Sequence, residues 1–407
     1  MAKMKESGFE WIGQIPEEWL ISKGKYLFKI DTGKLDANAE DIDGVYPFFT
    51  CSMYPKKINS YSFDCEALLV AGNGLVGYTQ YYNGKFDAYQ RTYVLSDFEN
   101  VNPGYLKYFT TSILSKEVDP KKTGSVIQFI KLGDLENFHV CIPPASAQEK
   151  IVRFLDVKCS EIDALHSDIE KQIETLEEYK KSVITEAVTK GLNPDAEMKD
   201  SGIEWIGMIP KHWDVHPVYS YFGERKNKNK LGRETNLLSL SYGNVIRKDI
   251  NTNGGLLPEN FNSYNIVEAN DIIIRPTDLQ NDKHSLRTGL AMEHGIITSA
   301  YIDLCPKENV NSAYFHYLLH AYDLMKVFYN MGNGVRQGLN YSEFSRLMVF
   351  EPTSIEQQEI VDYLDSKCVE IDGAIEDKKK QLETLEEYKK SLIYEYVTGK
   401  KEVPDNE

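Results

Sequence analysis

The chain is written twice, and that constrains its fold more than any single motif. Near the start stands Ser7-Gly8-Phe9-Glu10-Trp11-Ile12-Gly13, followed by Ile15-Pro16 and Trp19; at an offset of 194 the string returns as Ser201-Gly202-Ile203-Glu204-Trp205-Ile206-Gly207, with Ile209-Pro210 and Trp213. A second string closes each half: Thr175 through Ser182 recurs unchanged as Thr384 through Ser391, at an offset of 209. The offset of 209 also relates Gln128 to Gln337, Pro143 to Pro352, Leu155 to Leu364, Cys159 to Cys368, and the run Glu99–Asn102 to Glu308–Asn311. The difference, 209 − 194 = 15, is a net insertion in the second half, placed between Trp213 and Leu304. A fixed period of this kind is read before any local pattern, because each repeat is one folding unit. Two similar units with constant frames and divergent interiors point to one task performed on two different targets.

Each half ends in a long amphipathic stretch. Leu155, Ile162, Ile169, Leu176 and Val183 recur at seven-residue intervals, and Leu364, Ile371, Leu385 and Leu392 repeat the seam, with Lys378 interrupting it. Sustained heptads with charged flanking positions predict a coiled coil. Gly191-Leu192-Asn193-Pro194 supplies a stop for the first helix, Ala147 to Lys190. At 1.5 Å per residue, 35 to 40 residues give rods of roughly 50–60 Å.

The interiors read as strands with one short helix each. Glu66–Val70 and Asp271–Ile274 look like buried strands, and Gly77–Tyr82 and Thr92–Leu95 like further β segments. Asn102-Pro103 starts a helix over Gly104 to Leu114, matched by Ser312 to Val327. The fold class that follows is α+β: two mixed α/β domains in pseudo-two-fold repeat, separated by two long helices forming an antiparallel coiled coil. The boundaries are a first domain over 1–145, a spacer helix over 146–198, a second domain over 199–354 and a second spacer helix over 355–407.

A formal charge of −16 argues against nucleic acid until it is located. Leu20 to Val140 holds 13 basic and 14 acidic residues, and Lys211 to Phe350 holds 15 and 14; the closing stretches 141–200 and 351–407 hold 8 against 13 and 8 against 16. The acidity belongs to the helical stretches, which leaves the interiors free to meet DNA but not by bulk charge alone. Met1 to Glu10 has no apolar core and no run approaches the roughly 20 apolar residues of a span, so a cytoplasmic location without membrane contact is expected. The six cysteines form no Cys-x-x-Cys pair and read as free thiols.

Gly72-Asn73-Gly74-Leu75-Val76-Gly77 spells the dinucleotide fingerprint, but a β-like segment follows it instead of the helix that would face a pyrophosphate, so it reads as a glycine-rich hairpin. His316 and His320 have metal-compatible helical spacing without the glutamate of a metalloprotease, and read as a helix face. Arg225-Lys226-Asn227-Lys228-Asn229-Lys230 reads as a solvated loop. No P-loop, G-x-S-x-G, H-E-x-x-H or base-flipping Asn-Pro-Pro-aromatic string is present, and no catalytic residue or metal site is assigned. Arginine and lysine pair with guanine edges and asparagine and glutamine with adenine. On that chemistry the candidate DNA contacts are Asn73, Gln90, Arg91, Ser125 and Gln128 in the first half, and Arg275, Lys283, His284, Arg287, Arg336 and Gln337 in the second.

Taken together, Ser-Gly-x-Glu-Trp-Ile-Gly-x-Ile-Pro opening each half, the Gly124–Gln128 turn running into Ile142-Pro143-Pro144 and Gln148-Glu149, and the paired long helices resemble the DNA specificity subunits of type I restriction–modification systems. The resemblance covers essentially the whole chain. It implies that each domain is a target-recognition domain for one half of a bipartite, asymmetric double-stranded DNA sequence. The helices would fix the spacer and dock two modification subunits, with restriction subunits joining where present. S-adenosylmethionine, ATP and Mg would belong to those partners, and this chain would hold no cofactor of its own. Two readings of other classes stand beside this one: a protein-binding scaffold with duplicated domains, and an enzyme whose site matches no common motif.

Overall fold

The computed structural model describes residues 3–118, 129–203, 205–250, 260–277, 286–331 and 338–404. The chain forms two compact units: one of Met1–Glu170 together with Lys379–Glu407, the other of Lys171–Lys378. The boundaries cut both long helices, Ala145–Lys190 and Ser354–Val397, near their middles. These helices have 46 and 44 residues, the first beginning two residues before the expected Ala147, and Gln148 and Gln357 brace their first turns. Both glutamines are buried, and each donates from Nε2 to the carbonyl of the proline five residues earlier (Pro143, 2.9 Å; Pro352, 3.0 Å).

The first unit is built on a six-stranded sheet in the order Lys29–Thr32, Thr92–Ser96, Phe63–Ala71, Thr79–Ala88, Tyr46–Phe49, Lys56–Ile58. Its pairings are antiparallel except that of Tyr46–Phe49 with Thr79–Ala88. Successive side chains of a strand face opposite sides. Accordingly Leu68 and Val70 enter the large core beneath helix Pro103–Glu117, while Ala67 and Leu69 join Phe49, Phe86 and Val94 in a second core on the other face. Burial on both faces explains why this strand reads as a continuous apolar run.

The second unit replaces that sheet with a smaller one, in the order Phe222–Glu224, Ile302–Pro306, Ile272–Ile274, Thr288–Leu290. Three two-stranded ribbons accompany it: Leu238–Ser241 with Asn244–Arg247, Asn265–Val267 with Gly295–Ile297, and Asp214–Pro217 with Met348–Glu351. The same alternation holds, with Ile272 and Ile274 in the main core under helix Ser312–Leu324 and Ile273 in a smaller one.

The repeated strings close the units. In the first, the opening string forms the hairpin Met4–Glu6/Gln14–Pro16 and receives the end of the C-terminal helix: the Tyr394 hydroxyl donates to the Trp11 and Ile12 carbonyls (3.1 and 3.2 Å) and Lys400 donates to the Ile12 carbonyl. Gly399 ends that helix at φ +69°, where a Cβ would stand 2.4 Å from Pro16. In the second unit the hairpin Met198–Asp200/Met208–Pro210 and Trp213 receive the end of the preceding helix, where Gly191 at φ +73° would place a Cβ 3.2 Å from the indole. Only glycine combines that left-handed conformation with so close an approach. The buried tyrosines repeat the exchange. The Tyr105 hydroxyl is shared between the Cys141 and Val397 carbonyls (2.9 and 2.8 Å), and Tyr314, 209 residues later, donates to Val188, 209 residues before Val397 (3.5 Å). The second unit is thus closed by the helix that precedes it and the first by the far end of the chain.

Of the seam residues, Leu155, Ile162, Val183, Leu364, Ile371 and Leu392 are buried, and Ile169, Leu176 and Leu385 half-buried. In the first unit Lys389 pairs with Asp163 (2.5 Å), and in the second Lys180 pairs with Asp372 (2.7 Å); the two pairs are related by the 209 offset with the helices exchanged.

Candidate nucleic-acid interface

In the first unit four segments meet where strand Phe63–Ala71 ends. The glycine-rich sequence turns the chain back, with Gly77 N–H donating to the Ala71 carbonyl (3.0 Å) and Ala71 N–H to that of Tyr78 (2.9 Å). No helix follows, so this is a hairpin between two antiparallel strands. Gly72 sits at the junction: its N–H donates to the Arg91 carbonyl (3.0 Å) and its own carbonyl accepts from Ile130 N–H (2.9 Å). A Cβ on Gly72 would stand 2.4 Å from the Arg91 oxygen, so close approach requires glycine there. The Cys51 thiol donates to the same Arg91 carbonyl (3.3 Å), Gln80 Nε2 donates to Ser52 O (3.0 Å), and the Tyr93 hydroxyl donates to Ile130 O (3.1 Å). Burial holds the Tyr93 phenol above its ordinary pKa, so it stays a donor.

The edge brings together Asn73, Gln90 and Arg91. Asn73 is half-buried and bridges to Phe129; Gln90 and Arg91 are exposed at the centre of the tight turn joining two strands. Gln90 Nε2 donates to Asp36 (2.8 Å). Met53, Tyr54 and Leu75, which the residue-type argument passed over, lie exposed on the same loops. Their signal was present as large apolar residues among turn-formers. Ser125 and Gln128 lie outside the described residues.

The second unit repeats the junction with other residues. Leu339 N–H donates to the Pro276 carbonyl (2.9 Å), as Ile130, 209 residues before Leu339, does to Gly72, and Arg275 N–H donates to the Arg287 carbonyl (2.8 Å). Arg275 is half-buried at this edge. Arg287 is not on it: the residue is fully buried, its N–H donates to Asp323 and its guanidinium to Thr277 O, so its place is inside the unit and not against DNA. Lys283, His284, Arg336 and Gln337 lie outside the described residues.

The Arg225–Lys230 run is solvated at Lys226, Asn227 and Lys230, as expected, but not at its other three residues. Arg225 grips buried Asp271 with two bonds (Nε–Oδ2 2.7 Å, Nη2–Oδ1 3.1 Å), Lys228 donates to Ser263 O, and Asn229 is buried. Burial and the neighbouring Asp271 push the Asp303 carboxyl far above the ordinary carboxylate range, with Arg225 opposing. This cluster supports the sheet. Among the described residues no group of three or more His, Cys, Asp or Glu is arranged to hold a metal, and no helix is long and apolar enough to cross a membrane.

Residues 16–175 match the model of the type I restriction modification DNA specificity domain. The chain is 36% identical over 183 residues to the EcoDI specificity subunit of Escherichia coli, an alignment covering 45% of this chain and 40% of that one. Over residues 16–175 the chain is thus similar to the type I restriction–modification specificity family, and it spans less than half the length of the EcoDI subunit it matches. The putative MjaX specificity subunit of Methanocaldococcus jannaschii is 24% identical with 97% of both chains covered. Among solved structures, a chain from a type I restriction–modification assembly superposes with a TM-score of 0.67 at 12% identity, covering 94% of this chain and 98% of its own. The HsdS subunit from Thermoanaerobacter tengcongensis gives 0.50 at 12%, covering 95% and 98%. The specificity-subunit fold, mixed in helix and sheet, is therefore shared along nearly the full length. The matched family is one of DNA specificity domains.

Proposed function

We propose that this chain supplies the address for a type I restriction–modification complex and leaves the chemistry to its partners. Each unit is read as a target-recognition domain (1–145 and 199–354) and the segments 146–198 and 355–407 as spacer helices. The carrying observation is the matched pair of edges. One backbone bond recurs, Ile130 N–H to Gly72 O in one unit and Leu339 N–H to Pro276 O in the other, and the side chains around it are unlike. A common frame with unlike contacts suits two readers of two half-sites, hence a bipartite, asymmetric double-stranded target. Asn73, Gln90, Arg91 and Arg275 stand at these edges, and Ser125, Gln128, Lys283, His284, Arg336 and Gln337 remain proposed contacts by residue type.

The two helices are read as an antiparallel coiled coil in a pseudo-two-fold arrangement, supported by the exchanged pairs Lys389–Asp163 and Lys180–Asp372. Such a rod fixes the half-site spacing and offers equivalent faces to two modification subunits; restriction subunits add to that complex where present. The near-neutral domains suit a reader that shares phosphate contacts with its partners. Two moderate readers on one rod gain affinity through effective concentration. S-adenosylmethionine, ATP and Mg belong to the partners' reactions.

The test is a methylome. The chain is expressed with its modification subunit in a methylation-free host, and modified bases are sequenced. The expected outcome is a split motif carrying N6-methyladenine, absent when this chain is omitted. Replacing residues 20–140 with another reader should change one half-site and leave the other. A stable complex that adds no methylation would favour the scaffold reading.

A further inference from the structure

The edge of the first unit holds one side chain whose base and tip are treated in opposite ways. Arg91 has its carbonyl fixed twice, by Gly72 N–H at 3.0 Å and the Cys51 thiol at 3.3 Å. Its turn is closed by Thr92 N–H donating to Tyr89 O (2.8 Å), while Tyr89 N–H donates to Phe49 O and Gln90 N–H to Leu35 O (both 2.9 Å). Three other segments, at Leu35, Phe49–Cys51 and Gly72, thus hold the turn from which the side chain projects. The guanidinium itself is exposed and makes no hydrogen bond or ion pair among the described residues, its charge acting only on the nearby Tyr93 phenol. That contrasts with Arg153, which bonds to Glu149 on its own helix. These two are the only arginines of the first unit. Beside Arg91, Gln90 is held to Asp36.

An exposed guanidinium on a fixed base is the arrangement that recognises an acceptor pair. Guanine presents such a pair, O6 and N7, in the major groove, and the planar fork matches both at once. A phosphate contact would need no such anchoring, since a flexible lysine serves equally well, and exposed lysines (Lys34, Lys57) stand elsewhere on this unit.

We infer that Arg91 reads a guanine in the half-site addressed by the first unit, and that no other arginine of that unit does so. The inference rests on the DNA-reading function proposed above. The half-site of the first unit then contains one guanine whose discrimination depends on this side chain. Cys51 and Gly72 act as positioning residues.

The experiment uses the full chain assembled with its modification subunit, wild type against Arg91→Lys and Arg91→Gln. Binding is measured to a set of duplexes carrying the target and every single-base-pair change in both half-sites. Thermal melting checks that the variants stay folded, as an exposed side chain predicts. Arg91→Gln should lose about 10- to 100-fold discrimination at a single G·C pair of one half-site, with the other half-site unchanged. Arg91→Lys should recover overall affinity more than discrimination. A uniform loss across all duplexes, with the salt slope reduced by about 1, would make Arg91 a phosphate contact and overturn the inference. So would an unchanged profile. If the wild-type assembly showed no sequence preference in either half-site, the underlying reading itself would fall.

Discussion

His316 and His320, read from the sequence as a helix face in spite of their metal-compatible spacing, make the second unit sensitive to acid. Their spacing suggests a metal, yet the rings lie 6.1 Å apart on the wall of a cavity of about 430 Å³ in the second unit, with Lys180, Tyr317, Asp365 and Asp372 also lining it. Burial pushes His316 down to about 4; burial, then the charges of His316 and Lys180, push His320 down to about 3. Both rings are therefore neutral in the native state at pH 7. Below the unfolded value near 6.5 the unfolded chain binds protons that the native chain refuses. Stability is then complete above pH 6.5 and falls as pH drops towards 4, by at most about 1.4 kcal/mol per pH unit for each ring. The first unit has Lys107 and Thr111 at the equivalent positions and lacks this source of acid sensitivity. Hydrogen exchange, corrected for the intrinsic rate, should show helix Ser312–Leu324 losing protection between pH 7 and 5 more steeply than helix Pro103–Glu117, and a His316→Asn/His320→Gln variant should flatten the difference. Equal slopes in the two helices would show that the rings do not set it.

At the scale of elements, the helix ends matter more than the heptads. The seam residues were legible because apolar spacing of seven survives any tertiary context. Strands Phe63–Ala71, Thr79–Ala88 and Thr92–Ser96 were legible as β-type runs, the first short helix by its Asn102-Pro103 start and the second by its match to the first. The function of the repeated strings was not. Nothing in Ser-Gly-x-Glu-Trp-Ile-Gly announces that it receives a helix terminus from elsewhere in the chain, because that contact joins residues nearly 400 positions apart in the first unit and about 20 apart in the second. Arg287 and Arg225 were misread because residue type does not reveal burial; the Arg225 guanidinium grips buried Asp271, and Arg287 is held through its backbone N–H to Asp323 and its guanidinium to the Thr277 carbonyl. The exchange also separates two tyrosines that the repeat makes equivalent. Tyr105 is bonded at 2.8 and 2.9 Å and Tyr314 at 3.5 Å, both fully buried. Removing a buried donor leaves carbonyls unsatisfied at a cost of about 1–3 kcal/mol. Tyr105→Phe should therefore destabilise by about 1–3 kcal/mol and Tyr314→Phe by less, as read by denaturant titration with a fixed m-value. Equal losses would mean that the closing contact at Val397 contributes nothing beyond burial.

For the whole molecule, the proposed ruler can be lengthened without disturbing what it carries. The seam repeats every seven residues, so inserting one heptad in each long helix, between Ile169 and Leu176 and between Lys378 and Leu385, preserves which residues face inward. Both insertions are needed, since the pairs Lys389–Asp163 and Lys180–Asp372 tie each helix to the other on either side of the inserted stretch. Seven residues at 1.5 Å add about 10 Å. B-DNA rises about 3.4 Å per base pair, so the spacer between the two half-sites should grow by about 3 base pairs while both half-site sequences stay as they were. The methylome of the doubly extended chain reads this directly. Insertion in one helix alone should abolish methylation, because the seam then slips against its partner. An unchanged spacer in the doubly extended chain would show that the half-site distance is set by the modification subunits and not by these helices.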